Sequence, residues 1–471
     1  MLGPASVTSE RDQHAHCDSL RSEVFMKNAR FAAILLAAAA VLCPAASVPN
    51  VTFNKDVLPV LQKRCQECHR PGEIAPMSFM SYEAARPWAK AMKAAVLTKK
   101  MPPWFAEEGS LPLAHDRTLS EAEVQAIVAW ADGGAVEGDA KDKPAPREFV
   151  AGWNIKPDLI VEMPNEVQIP ATGAVEYQYM KVKGNFPEDV WVSAAEMRPG
   201  NRQVVHHGEV WAVPPGSKWM ANAEYGVAYP MTEMPKQNSD NTDIIGKFNP
   251  GVGAQNFVIG DSAKFIPKGS DLIFEIHYTT MGKPTSDRTR VGMTFAKGEH
   301  KTRYFTSYGP TANNLKIPAG DGNAEVVGEF TTQVDMKLVY AQPHMHVRGK
   351  DYELRAIYPT GEMQTLLKAK WDFNWQLGFD FAEPVLLPKG TRLIGISHFD
   401  NSPNNPFNPD PKKEVVWGLQ NWEEMSNCFI GLVFDNQIEP KKIAKRSGPS
   451  LLPVGPPGPT MAVVDLKPAR P

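Results

Sequence analysis

Apolar and polar positions change period along the chain. Asn54 can cap a run in which Val57, Leu58 and Leu61 recur at helical spacing, and Pro87 suits the first turn of a second run carrying Trp88, Met92 and Val96. Ser120 and Glu123 spell a capping box ahead of Val124, Ile127, Val128 and Ala131 on one face, closed by Gly133-Gly134. Three short helices are therefore predicted before residue 135. Beyond the polar, proline-bearing linker Lys141 to Arg147 the helical period is lost. Short apolar runs such as Leu159-Ile160-Val161, Val190-Trp191-Val192, Leu272-Ile273-Phe274 and Leu393-Ile394-Gly395, set between Pro, Gly and Asn clusters, predict strands. Roughly 300 residues of that pattern suffice for two sandwiches or jelly rolls.

The first residues read as an address. FAAILLAAAAVLC, from Phe31 to Cys43, is too short to span a bilayer; Lys27 and Arg30 precede it and Pro44, Ala45, Ala46 and Ser47 follow, as in a secretory signal peptide. Cleavage is expected near Ser47, with Met26 a more natural start than Met1, and the mature chain is expected to be periplasmic or secreted. Residues 1–47 are accordingly set apart from the fold. The end of the chain, residues 437–471, holds Pro456-Pro457-Gly458-Pro459 and reads as a flexible strap.

Composition excludes several classes. Fifty Lys and Arg against 53 Asp and Glu leave a net charge of -3, with no basic footprint for nucleic acid. With 42% hydrophobic residues the chain is not wholly disordered. Of the five cysteines, Cys17 and Cys43 lie in the amino-terminal stretch, leaving the close pair Cys65 and Cys68 and the singleton Cys428. No disulfide framework is expected, so the core itself must hold the fold.

Cys65-Gln66-Glu67-Cys68-His69 is the C-x-x-C-H pattern that attaches one haem c: two thiols bond the porphyrin vinyls and the histidine reaches the iron. A zinc site would need a second ligand pair at suitable spacing, and none follows. A redox dithiol is expected beside a βαβ pattern, whereas these flanks are helical. Motif and helices together resemble a small class I cytochrome c over residues 48–145. That resemblance implies a sixth iron ligand, for which Met101 in Lys100-Met101-Pro102-Pro103-Trp104 is the candidate, with Met77, Met80 and Met92 as rivals. His/Met ligation would suit the module to carrying electrons, with no open position for oxygen.

Histidines carry the argument in the strand-rich part. His344 and His346 point to one face of a strand at period 2 and can meet on one metal ion, whereas His206 and His207 can do so only at a bulge or a strand end. Two separate pairs in one exported β region favour a metal over satisfied core histidines. The segments Val205-His206-His207-Gly208, Glu275-Ile276-His277-Tyr278, His344-Met345-His346-Val347-Arg348-Gly349 and Glu424-Met425-Ser426-Asn427 resemble, in order and spacing, the copper type II, ascorbate-dependent monooxygenases over residues 155–436. The family includes the peptidylglycine α-hydroxylating and dopamine β-monooxygenases. The resemblance implies two coppers. His206, His207 and His277 would hold an electron-relay copper, and His344, His346 and Met425 the copper at which oxygen binds and a C–H bond is attacked. A soft thioether favours Cu(I), the state that meets dioxygen.

Two positions depart from the peptide-hydroxylating members: Gln342 replaces an arginine that grips a substrate carboxylate, and Phe429 replaces a tyrosine. The family's disulfides are also missing, and Cys428 reads as a small buried residue. His398, His115 and His300 are outside the copper pattern. The expectation is a multidomain chain: a small all-α cytochrome c domain at 48–145, then two all-β jelly-roll or sandwich domains at 146–300 and 301–436. Its expected activity is hydroxylation of a small-molecule or peptide-like organic substrate with O2. An external donor, a redox protein or an ascorbate-like reductant, would supply electrons through the haem. The alternatives are a non-hydroxylating haem and copper electron-transfer or copper-binding protein and a haem peroxidase.

Overall fold

The computed structural model describes residues 51–73, 75–149, 152–233 and 242–446. The signal-peptide reading, Cys17, Cys43 and the proline-rich end from residue 447 lie outside the described residues.

The helical stretch is smaller than the sequence led us to expect. After a π-helical turn at Phe53–Val57 come α1 (Leu58–Arg64), α2 (Tyr82–Ala85), α3 (Ala89–Leu97) and α4 (Glu121–Asp132), each short. The capping box at Ser120 forms as its sequence requires, Ser120 Oγ accepting from the Glu123 amide while Glu123 accepts from Ser120 N–H. Phe53, Leu61, Ile127 and Trp130 are buried among these helices. The expectation of an all-α cytochrome c domain is nonetheless overturned, because the described residues of the chain are predominantly strand and no sizeable helical domain stands apart. Residues 104–114 instead run beside the later strands, bridging at Ala106 and Leu113 with a turn between them. The Glu107 and Leu111 amides donate to Lys368 O and Leu366 O, the Ala114 amide to Asp380 O, and Trp104, Phe105, Leu111 and Leu113 pack on the core of the last two sheets. Pro102, Pro103 and Pro112 bar helix here, and four short helices offer too little apolar surface to bury those side chains.

The strands that matter below are, in chain order, β1 (Leu159–Glu162), β2 (Gln178–Lys183), β3 (Val190–Arg198), β4 (Val205–Val213), β5 (Asp243–Phe248), β6 (Asp271–Tyr278) and β7 (Arg290–Phe295). They are followed by β8 (Thr302–Tyr308), β9 (Ala324–Thr332), β10 (Met336–His344), β11 (Gly349–Ile357), β12 (Met363–Lys370), β13 (Phe379–Leu387), β14 (Arg392–Phe399) and β15 (Asn427–Asp435). One sheet runs β1-β7-β3 with short edge strands, and a second runs Ala228–Pro230, β2, β6, β4, β5. Both contribute to one core, in which Val192, Met197 and Val291 meet Val210, Leu272 and Phe274. The later half repeats the plan with β8-β15-β10-β13 against β12-β11-β14-β9 and Ala444–Arg446, around Leu338, Ile430, Tyr352, Leu354 and Phe399.

The middle sheet joins the halves. In β10, Leu338 and Ala341 face the later core while Val339 faces the earlier one. Lys264, fully buried, donates to Asp243 Oδ1 at 2.6 Å and to Thr306 Oγ1 at 3.1 Å, tying β5 to β8. A buried pair of this kind adds little net stability but penalises any other alignment of the two halves.

Candidate metal centre

β4 and β6 pair in antiparallel register, with His207 opposite His277 and then Tyr278 opposite Val205. His206 is thus the extra residue of a β-bulge, the irregularity that lets adjacent histidines reach one point. Ring centroids of His206, His207 and His277 lie 4.9 to 5.6 Å apart, and their ligand atoms all fall within 4.8 Å of one another. His206 Nδ1 and His207 Nδ1 are 3.0 Å apart. That is the spacing of two nitrogens sharing an ion at about 2 Å from each. His277 Nδ1 is buried with no hydrogen-bond partner among the described residues. Tyr177 orders the set from behind, its Oη 2.7 Å from His207 Nε2 and its ring stacked at 4.5 Å on His277.

The second pair sits at the end of β10. His344 Nδ1 donates to Gln376 Oε1 at 3.0 Å and His346 Nδ1 to Glu423 O at 3.2 Å, so both present Nε2. His346 Nε2 is also buried without a partner among the described residues. Glu424, fully buried, accepts from the amides of His346 and Arg348, each at 2.7 Å, and so fixes the turn between them. Burial lifts its carboxyl to about 8. Met425 is buried just ahead of β15, whose first residue Asn427 is the register partner of His344 and donates to Met425 Sδ at 3.5 Å. No described contact joins Met425 sulfur to His344 or His346.

The two sets are neighbours. His207 and His344 rings are 6.2 Å apart, and Phe373 lies 5.0 Å from His206 in the same loop that supplies Gln376 to His344. Burial lowers His206 and His344 to about 4 and His346 to about 3, and holds His207 and His277 well below the usual histidine value. Five neutral imidazoles, two of them with orphaned buried nitrogens, form a donor set that suits copper.

Gln342 and Phe429, the two departures noted above, both meet Lys247. Its Nζ donates to Gln342 Oε1 at 3.3 Å and lies 3.7 Å over the Phe429 ring, with Glu209 3.8 Å away. Burial pushes Lys247 down to about 8 and Glu209 upward. Lys247, Gln376, Phe373 and Tyr177 were not foreseen from the sequence. Glu424 lay in a quoted motif without a role, and the aromatic density of Trp371-Asp372-Phe373-Asn374-Trp375 was the available signal for its loop. An apolar groove lined by Leu111, Pro112, Tyr358 and Leu386 contains none of the histidines. His398 is paired with Asp351 at 2.6 Å, and His300 Nδ1 with Asp261 O.

Cys65, Cys68 and His69 occupy one helical turn at the end of α1, with the His69 amide donating to Cys65 O at 2.9 Å. Both thiols are free. Burial pushes Cys65 up to about 12 and raises Cys68 as well, the opposite of an activated redox dithiol. The His69 ring is stacked on Phe79 at 4.3 Å and its Nδ1 donates to Met77 O at 3.3 Å, leaving Nε2 as the ligand atom. The turn fits covalent haem attachment. Met92 is buried on α3 as a core residue, whereas Met101 is half-buried beyond it, its amide donating to Ala95 O. Among the described contacts none joins Met101 to His69.

No family model and no curated protein matches the chain. Among solved structures it is similar to the major capsid protein P2 of bacteriophage PM2, at 10% identity and a TM-score of 0.27, over 58% of this chain and 97% of that one. It is also similar to the VP2 subviral particle of infectious bursal disease virus, at 7% identity and a TM-score of 0.18, over 63% of this chain and 76% of that one. Likeness at these scores carries no argument about fold or function.

Proposed function

We propose that the protein is an exported copper monooxygenase that hydroxylates an organic substrate with O2 and takes electrons through a covalent haem c. The observation that carries this reading is the convergence of His206, His207 and His277 with His344 and His346, all neutral and buried or half-buried, at the junction of the two β halves. Two bound coppers would supply one-electron transfer and oxygen activation.

The chain's own residues have assignable tasks. Tyr177 orients His207 and His277; Gln376 and Glu423 O select the Nε2-presenting tautomers of His344 and His346; Glu424 holds the backbone between them. Met425 is assigned to the second copper by its place in the Glu-Met-x-Asn motif and its position beside the partner of His344. His69 is the proposed proximal iron ligand, Cys65 and Cys68 the attachment points, and Met101 the distal ligand. An external one-electron donor completes the cycle.

Metal and haem analysis of periplasmically expressed protein tests this first. One haem and two coppers per chain, with substrate-dependent oxygen uptake lost in Met425→Ala, is the expected result. Haem without copper would sink it. A second reading, electron transfer or copper binding without hydroxylation, is favoured by one observation. Gln342 is spent on Lys247, Tyr340, Asn249 and Gln376, and so is committed to internal bonds rather than to gripping a substrate. Two coppers reduced through the haem with no substrate-coupled oxygen uptake would select it.

A further inference from the structure

We propose that Glu73 is a positioning residue that docks the haem-binding turn against the connection feeding His206, so that electrons enter the histidine cluster from this side; the inference rests on the haem and copper reading above. Glu73 follows the Cys-x-x-Cys-His turn by four residues and gathers three guanidinium groups. Arg70, from its own segment, reaches Glu73 Oε1 at 3.1 Å. Arg198, the last residue of β3, reaches the same oxygen at 2.9 Å, and Arg202, in the β3–β4 connection, reaches Oε2 at 3.1 Å. Glu196 neutralises Arg198 at 2.6 Å and accepts from Asn154, whose side chain in turn accepts from Arg70 at 3.4 Å. Both segments are therefore held in one largely buried charge network.

Such a network is a poor source of net stability and a good source of register, since any shift strands a buried charge. The register it selects is pertinent. Arg202 lies four residues before His206, and its guanidinium stacks 5.5 Å over Phe248 of β5, which pairs with Gly208 beside His207. On the other flank Arg64, the residue before Cys65, donates to Asp116 O at 3.0 Å, and the next residue, Arg117, donates to Gly251 O at 2.8 Å. Gly251 has a φ of +86°, and a Cβ there would meet Leu377 at 2.9 Å and Trp375 at 3.4 Å, in the loop that carries Phe373 and Gln376 to the histidines. Two separate chains of contacts thus lead from the haem turn towards the cluster, and Glu73 anchors the one that reaches the β3–β4 connection.

Each transfer moves one electron: ferrous haem is oxidised to ferric, Cu(II) is reduced to Cu(I), and an external one-electron reductant restores the haem. Transfer through protein falls steeply with distance, so loosening the dock slows it without removing either metal. The test uses the full-length protein loaded with haem and copper, following haem reoxidation by optical spectroscopy after rapid photoreduction. Glu73→Gln is expected to keep haem content, haem spectrum and copper count while the haem-to-copper rate falls about tenfold, with Glu73→Asp recovering part of it. Arg202→Gln, which leaves Glu73 paired with Arg70 and Arg198, is expected to act in the same direction and serves if the Glu73 variant does not fold. An unchanged rate in a correctly loaded variant overturns the docking role alone. Wild-type protein that takes up no haem or no copper overturns the parent reading together with this one.

Discussion

The two histidine sets are built by different means. His207 and His277 are cross-strand partners, and His206 joins them through a single bulge, so the first set is a local product of the β4–β6 register. His344 and His346 hang from the end of β10 and owe their orientation to groups far along the chain, Gln376, Glu423 and Glu424. A site made by sheet register moves only if the sheet does. One assembled from loop contacts can be retuned by a single outer residue, which suits it to the copper where chemistry is proposed.

The largest expected effect falls on the loop-built set. Glu424→Ala leaves the buried amides of His346 and Arg348 without an acceptor, at a cost of about 3–5 kcal/mol, and should remove the second copper while sparing the first. Chemical denaturation and copper counting check this; equal loss from both sets would break the distinction. Outer hydrogen bonds come next. Gln376→Ala and Tyr177→Phe should each weaken copper binding about 10–100-fold, the former only at His344 and His346, the latter only at the bulge set, as competition with a chelator would resolve.

Acid acts on both. All five histidines have folded pKa values below the ordinary 6.5, so as pH falls below 6.5 the unfolded chain takes up protons that the folded chain refuses. The share of the copper-free protein's stability that depends on these histidines should therefore be complete above about pH 6.5 and lost steadily towards pH 4; the raised Glu424 carboxyl has the opposite slope up to about pH 8, so the share is read as the difference in urea melts between the wild type and a variant lacking the histidines. Replacing His344 and His346 together by apolar residues should flatten that slope and leave the share due to the bulge set. The smallest expected change in stability is that of Met425→Leu, a volume-conserving swap worth less than about 1.5 kcal/mol. In the proposed reading it lowers the preference of the second site alone for Cu(I), measured by reductive titration.

Legibility followed the range of the interactions. Leu159-Ile160-Val161, Val190-Trp191-Val192, Leu272-Ile273-Phe274 and Leu393-Ile394-Gly395 all lie in strands, because a short apolar run between turn residues is a signal carried by neighbours in the chain. Ser120 and Glu123 cap α4 for the same reason. The helical segment was misjudged as a domain because helical period says where a helix forms and nothing about what covers it. Its stretch 104–114 is hydrogen-bonded to and half covered by sheets more than 250 residues away in sequence. Tyr177, just before β2, was invisible, since a tyrosine stacked on a histidine looks the same in a sequence as any other tyrosine.

From its sequence alone this protein was bound to form strands at His206-His207 and leading into His344, a bulge wherever His206 and His207 had to act together, and two thiols with a histidine on one helical turn; the shared strand expected for His344 and His346 ends at His344, because the chain turns there. Those are consequences of backbone period and covalent spacing, which act over a few residues. Only the tertiary structure decided that His207 and His344 come within 6.2 Å, that Lys247 meets Gln342 and Phe429, and that Glu73 ties the cysteine turn to the strand leading to His206. Those proximities arise from the packing of one sheet against another and from buried charges seeking partners, and neither is encoded in any local run of residues.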